Sequence, residues 1–234
     1  MINGYVHSIQ TLGTLDGPGV RFVVFTQGCN LRCSCCHNPD TWKCNEGMIF
    51  TPEEIVKRAK RYKEYFGDEG GITFSGGEPL LQADFVRETF KLCHEIGINT
   101  CLDTSGSILN DNVIKLLQET DLVLLDIKYT DNGLYKKHVG CDLDSVLRFL
   151  DTLQKMNIKT TLRQVVIPTV NDYKENFVKL KEIADKYSVV QKIELLPFKN
   201  ICITKYDALN IEFPFRDIPL PSESDMNEYQ ALLK

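Results

Sequence analysis

Four cysteines crowd one short stretch, Cys29-Asn30-Leu31-Arg32-Cys33-Ser34-Cys35-Cys36-His37. Thiolates at C-x3-C-x2-C spacing on a single loop can converge on one soft metal centre. Cys29, Cys33 and Cys36 make three ligands, one too few to saturate a four-iron cluster, so one iron would stay open to a substrate. The same residue types also build structural zinc sites, with Cys44 or His37 as a fourth ligand. Cys35 is an alternative to Cys36 as the third ligand. Metal content of anaerobically purified protein separates these chemistries, because one zinc and no iron removes the cluster.

Further polar residues recur at the ends of apolar, β-branched runs. One such run leads into Ser75-Gly76-Gly77-Glu78-Pro79, where paired glycines let backbone groups approach a ligand closely or simply make a tight turn. Two more end at Asp103-Thr104-Ser105 and Asp126-Ile127-Lys128. Acids at such positions cap a following helix, or hold a hard cation through oxygen, while Lys128 can pair with a ligand carboxylate. A fifth run holds Arg163, and a sixth ends at Pro197-Phe198-Lys199. His94 and His138 fall on helical faces and are expected to be solvated. Trp42 is expected to pack, and the Lys57–Lys63 basic run is interleaved with Glu, as on a solvated helix face.

The runs themselves predict strands at 21–26, 71–74, 98–102, 122–125, 159–167 and 193–196. Between them lie segments of helical period. Ile55, Ala59 and Tyr62 share a face over 52–66, followed by Val86, Phe90 and Cys93, then Val113, Leu116 and Leu117. Val146, Phe149, Leu150 and Leu153 mark the next, Phe177, Leu180 and Ala184 another, and 222–233 is predicted to be the last helix. Six strands, each followed by a helix, imply a parallel sheet, since parallel neighbours need long crossovers. Too few units are present for an eight-fold barrel, so an α/β fold is expected, an incomplete parallel (β/α)6 barrel formed as one domain over 1–234. A doubly wound open sheet is the structural alternative. In the barrel the strand C-termini share one face, which would gather the cysteines, Glu78, Asp103, Asp126, Lys128, Lys199 and Arg163.

Composition narrows the partners. The 234 residues carry a net charge of −5 and 25 % charged side chains, with no basic stripe for nucleic acid or an anionic membrane surface. No apolar run is long enough to span a bilayer, and the N-terminus lacks the pattern of a secretory signal. Nine cysteines clustered as they are fit a reducing cytoplasm and a metal site better than a disulfide scaffold.

At these motifs the chain resembles the radical S-adenosylmethionine (SAM) superfamily and, within it, the family of pyruvate formate-lyase-activating enzymes. The resemblance rests on Asp16-Gly17-Pro18-Gly19-Val20-Arg21-Phe22, Gln27-Gly28-Cys29 through Trp42, Ser75 to Pro79, Leu102-Asp103-Thr104, Leu125 to Lys128, and Leu195-Leu196-Pro197. It implies a 4Fe–4S cluster on Cys29, Cys33 and Cys36, whose open iron takes the amino and carboxylate groups of SAM. Gly77 and its neighbours, Glu78 among them, would hold the amino group, Lys128 the carboxylate, with Asp126 and Ile127 beside it at the cofactor, and Cys35, Cys36 and His37 would flank the adenine. A monovalent cation is implied near Asp103, Thr104 and Asp126, and no side chain is needed as a general acid or base. The implied activity is reductive cleavage of SAM to a 5′-deoxyadenosyl radical that takes hydrogen from a glycine of a glycyl-radical enzyme, pyruvate formate-lyase or a relative. Flavodoxin or ferredoxin would supply the electron, and the protein would act as a monomer. Alternatives are a radical enzyme acting on another peptide or small molecule, an electron carrier indifferent to SAM, and a non-catalytic zinc-binding module.

The chain departs from the family pattern in three places. Cys35 stands where an aromatic residue is usual. Phe198-Lys199 replaces the usual Tyr-His, leaving Lys199 to reach the nucleoside with a charge. Beyond Asn200 only Lys205-Tyr206 echoes the family.

Overall fold

The computed structural model describes residues 2–233. Its strands are β1 (Gly4–Gly13), β2 (Arg21–Thr26), β3 (Met48–Phe50), β4 (Gly71–Gly76), β5 (Asn99–Thr104), β6 (Leu122–Asp126), β7 (Lys159–Val166) and β8 (Val190–Pro197). They form one sheet in the order β3-β1-β2-β4-β5-β6-β7-β8, in which β2 and β4 to β8 are mutually parallel. The parallel strands follow chain order with no reversal, which a doubly wound sheet would need. The incomplete (β/α)6 barrel is therefore the architecture present, its sheet left open between β3 and β8.

Two strands escape the sequence pattern. β1 pairs antiparallel with β2, and β3 antiparallel with β1, extending one edge of the parallel set. β1 carries no continuous apolar run, because much of it is half-exposed. β3 has three residues, too few for any periodicity to register.

Most of the helices fall where the apolar period puts them. They are α1 (Pro52–Ala59), α2 (Ala83–Glu95), α3 (Asp111–Leu117), α4 (Asn132–His138), α5 (Leu143–Met156), α6 (Lys174–Asp185), α7 (Ile203–Ala208) and α8 (Glu223–Ala231). α1 begins on a capping box: the Glu54 amide donates to Thr51 Oγ1, and the Thr51 amide to Glu54. The helix predicted over 52–66 is α-helical only to Ala59 and tightens to 3-10 winding over Lys60–Tyr65, ending with Phe66 in the core. α4 and α7 each bury a single residue, Tyr135 and Tyr206, so no apolar face repeats along them in sequence. Between sheet and helices Phe74 meets Phe85 and Phe90 edge-on, at 5.8 and 5.6 Å between ring centroids.

The floor of the barrel is held by a fully buried arginine. Arg21 Nε donates to Thr73 Oγ1 at 3.0 Å, Nη1 to the Glu69 carbonyl at 3.0 Å and Asn99 Oδ1 at 2.9 Å, and Nη2 to the Ile72 carbonyl at 2.6 Å. Thr73 Oγ1 in turn donates to the Asp16 carbonyl at 2.7 Å. Arg21 thus joins β2, β4 and β5 and fixes the β1–β2 loop beneath the cavity. Among the described residues no helix is long and apolar enough to cross a membrane.

Candidate active site

A cavity of about 300 Å³ opens at the C-terminal ends of the parallel strands. Cys29, Cys33, Cys35, Cys36 and His37 from the loop after β2 line one side. Gly77 and Glu78 after β4, Asp103 and Thr104 of β5, Asp126 of β6, Lys128 just after it, and Arg163 of β7 line the rest. Asp16, from the loop held by Arg21, closes the bottom. A larger cavity of about 470 Å³ lies elsewhere, between α1 and β1–β2, and contains none of these groups.

Strand alternation decides which neighbours face inward. Asp126 and Lys128 point into the cavity with Nζ to Oδ2 at 2.8 Å. Ile127 points away: it is buried, and its carbonyl accepts from Gln164 Nε2 at 3.0 Å. Across the cavity Asp103 accepts from Ser75 Oγ at 2.8 Å and lies 3.3 Å from Arg163 Nη1. Arg163 Nε and Nη1 are buried without a hydrogen-bond partner, an arrangement that awaits an acceptor.

The paired glycines serve the protein's own backbone. A Cβ on Gly77 would sit 2.1 Å from the Gly28 carbonyl, and one on Gly76 would sit 2.4 Å from the Thr26 amide at a φ of +106°. The Gly77 amide donates to the Thr26 carbonyl and the Glu78 amide to that of Gly28, so the two strand ends meet backbone to backbone. Glu78 is spent on the same task. Its carboxylate accepts from Thr104 Oγ1 at 2.6 Å, the Ser105 amide at 3.0 Å, the Leu80 amide at 3.2 Å and the Ser105 hydroxyl. Glu78 therefore ties the end of β4 to that of β5, and the Thr104 hydroxyl gives its proton to that tie.

The remaining expected residues divide. His37 Nε2 donates to the Lys199 carbonyl at 2.8 Å, which fixes the tautomer. Lys199 contributes that carbonyl while the residue is exposed, and it does not line the cavity. His138 is half-buried: its ring lies 5.6 Å from Tyr129 and 5.3 Å from Phe215, and Nδ1 bonds Ser34 Oγ at 3.1 Å. His94 is exposed, as expected, between Glu119 and Asp121.

Comparison with known proteins decides the family. The Radical SAM superfamily profile matches residues 23–180. The activating enzyme named for pyruvate formate-lyase in Clostridium pasteurianum is 44 % identical over all of this chain and 98 % of its own length. Its namesake in Staphylococcus epidermidis is 40 % identical over 97 % of this chain and 94 % of its own. The chain belongs to the radical SAM superfamily, in the family of pyruvate formate-lyase-activating enzymes. Solved structures share the fold of this radical SAM chain. Streptococcus suis SuiB bound to its precursor peptide SuiA superposes with a TM-score of 0.70 at 14 % identity, over 89 % of this chain and 44 % of that one. A domain of a pyruvate-formate lyase-activating enzyme from Bacteroides vulgatus gives 0.58 at 23 %, over 70 % and 92 %.

Members of this superfamily carry a 4Fe–4S cluster and SAM, and the donor set of the radical SAM chain fits both. Four free thiols, Cys29, Cys33, Cys35 and Cys36, share one wall of the cavity and are the soft donors an iron–sulfur cluster takes. Burial pushes the Cys29 thiol up to about 12 and that of Cys35 to about 11, and raises Cys33 and Cys36 as well. The metal-free radical SAM protein thus holds thiols rather than thiolates, and loading must release protons. Iron uptake is expected to be slower and weaker at pH 6.5 than at pH 8.5, measured by absorbance during anaerobic reconstitution. Equal uptake at both would contradict this.

The acids have distinct environments. Burial lifts the Asp103 carboxyl to about 6, partly offset by Arg163. Burial also pushes Asp126 up, but Lys128 and Arg163 outweigh it and hold the carboxyl below the usual range. Asp16 is raised by burial against the pull of Arg163. Asp16 and Arg163 are the charged cavity residues to which sequence reasoning assigned no role. The available signal was alternation along β7, which puts Thr161, Arg163 and Val165 on one face.

Proposed function

We propose that this chain is the activase of a pyruvate formate-lyase, working as a single domain over residues 1–234 in the cytoplasm, as a monomer supplied with electrons by flavodoxin or ferredoxin. The observation that carries the reading is the convergence of Cys29, Cys33 and Cys36 with an acid-rich wall and the buried Arg163 guanidinium, ion-paired with Asp103 but with two N–H groups not hydrogen-bonded, in one cavity. Its support comes also from relatives of that name that align end to end.

Cys29, Cys33 and Cys36 would hold the cluster. In favour of Cys36 over Cys35, the Cys36 sulfur accepts the Asn38 amide at 3.4 Å, as the Cys29 sulfur accepts that of Leu31 at 3.4 Å. When bound and reduced, the cluster supplies one electron to the SAM sulfonium, giving methionine and the deoxyadenosyl radical that takes hydrogen from a glycine of the partner. The chain's own part is binding, orientation and exclusion of water. Lys128 and Arg163 offer the donors for the SAM carboxylate. Asp16, Asp103 and Asp126 give the cavity the negative charge that suits a sulfonium and an ammonium, or a monovalent cation beside them. Cys35 to His37 would border the adenine, with His37 held by the Lys199 carbonyl.

The test is a glycyl-radical electron paramagnetic resonance (EPR) signal on pyruvate formate-lyase after anaerobic incubation with the reconstituted protein, SAM and reductant. SAM cleavage with no such signal would move the activity to another peptide or small molecule. Lys128→Ala is expected to weaken SAM binding about 10- to 100-fold, the equivalent of one charge-assisted hydrogen bond, without lowering iron content. An unchanged affinity would remove Lys128 from the site.

A further inference from the structure

The segment that leaves the cysteine loop, residues 37–42, is gripped from two sides. On the barrel side the Gly28 amide donates to the Thr41 carbonyl at 2.7 Å and the Cys29 amide to that of Trp42 at 3.2 Å. Gln27 Nε2 donates to the carbonyls of Asp40 and Lys43, at 3.1 and 2.9 Å. On the outer side the grip comes from α7, more than 160 residues further along the chain. Lys205 Nζ donates to Asn38 Oδ1 at 2.9 Å and lies 3.1 and 3.0 Å from the two Asp40 carboxylate oxygens. The fully buried Tyr206 ring meets Trp42 edge-on, with centroids 5.9 Å apart.

The two residues held this way are the ones that face the Cys36 sulfur. The Asn38 amide donates to it at 3.4 Å, and Trp42 lines the same cavity wall. On the outer side both rest on α7, Asn38 through Lys205 and Trp42 through Tyr206.

We infer that α7 is a positioning element for the cluster, in which Lys205 holds Asn38 with its N–H on the Cys36 sulfur and Tyr206 packs Trp42 beside it. This rests on Cys36 being a cluster ligand. Hydrogen bonds to a ligating sulfur draw off charge and so favour the reduced, more negative cluster. The C-terminal segment, where likeness to the family fades in sequence, thereby sets how readily the cluster accepts its electron. The same contacts link that segment to the N-terminal strand, since Asp40 Oδ2 also lies 3.3 Å from His7 Nε2 of β1.

The experiment is an anaerobic redox titration of the reconstituted enzyme, followed by EPR, with Lys205→Met, Tyr206→Leu and Lys205→Arg beside the parent protein. Lys205→Met and Tyr206→Leu are expected to hold about tenfold less reduced relative to oxidised cluster at a given ambient potential, a midpoint about 59 mV lower for a one-electron couple. Lys205→Arg, which keeps the donor to Asn38 and Asp40, is expected to restore most of it. Trp42 is the chain's one tryptophan, so its emission in metal-free protein reports the grip directly and should shift to the red in Lys205→Met. Potentials equal to the parent's in cluster-replete Lys205→Met and Tyr206→Leu overturn the inference and leave the cluster assignment standing. Should Lys205→Met fail to keep its cluster, an unshifted Trp42 emission overturns it equally. A parent protein that binds no iron–sulfur cluster would instead overturn the reading of Cys36, and this inference with it.

Discussion

Replacing Cys29, Cys33 or Cys36 with alanine, one at a time, is expected to abolish cluster retention and with it the formation of 5′-deoxyadenosine. A cluster held by three thiolates has no spare protein ligand, so each loss removes a bond that water or buffer must replace. The drop in deoxyadenosine should exceed about 100-fold, the upper end of what losing only a supporting partner of a ligand costs. Cys35→Ala is expected to keep both iron and activity largely intact. Its sulfur lines the same cavity, but the Asn38 amide meets Cys36 and not Cys35. Iron and sulfide analysis together with absorbance near 400 nm would decide the matter (the wavelength is roughly where such clusters absorb). If Cys35→Ala loses iron as fully as Cys36→Ala, the ligand register is shifted by one.

Arg21→Lys is expected to be the most damaging substitution away from the cysteines. The guanidinium makes four hydrogen bonds in four directions, to a hydroxyl, a side-chain amide and two carbonyls, and its partners include no carboxylate. A lysine ammonium is a point donor on a flexible stem and cannot reproduce that fork. Burial already lowers the Arg21 pKa, and a lysine in its place would pay the same desolvation with fewer bonds. Stranding two or three buried acceptors costs about 3 kcal/mol or more, and a chain of this size then melts about 6–12 °C lower. Thermal unfolding of the metal-free protein measures it. A melting point within about 2 °C of the parent would show that water fills the floor without penalty.

How much of this was legible beforehand varies from element to element. The parallel strands announced themselves as apolar runs because both of their faces are covered, one by helices and one by the barrel interior. β1 stayed hidden for the converse reason, since a half-solvated edge strand has no such run. Asp126 and Lys128 were found because they end a run, whereas the fate of Ile127 between them follows only from the pleat. Glu78 illustrates the limit on motif reading. Its presence beside Gly77 suggested a ligand contact, and the structure adds what no spacing shows, hydrogen bonds to its carboxylate from Thr104, Ser105 and Leu80.

From the order of its residues alone, this chain determined its superfamily chemistry, the clustering of its thiols on one loop, and the alternation that makes a (β/α)6 barrel. Local spacing carries that kind of information, because ligand reach and hydrophobic period both act over a few residues. The tertiary structure decided what lies between distant segments: Arg21 beneath three strands, Arg163 left without an acceptor beside Asp103, and α7 closed over the exit of the cysteine loop. Those pairings span from about 50 to more than 160 positions. No period or propensity encodes them, since they arise only once burial has brought the strand ends to one face and made each unpaired polar group there costly.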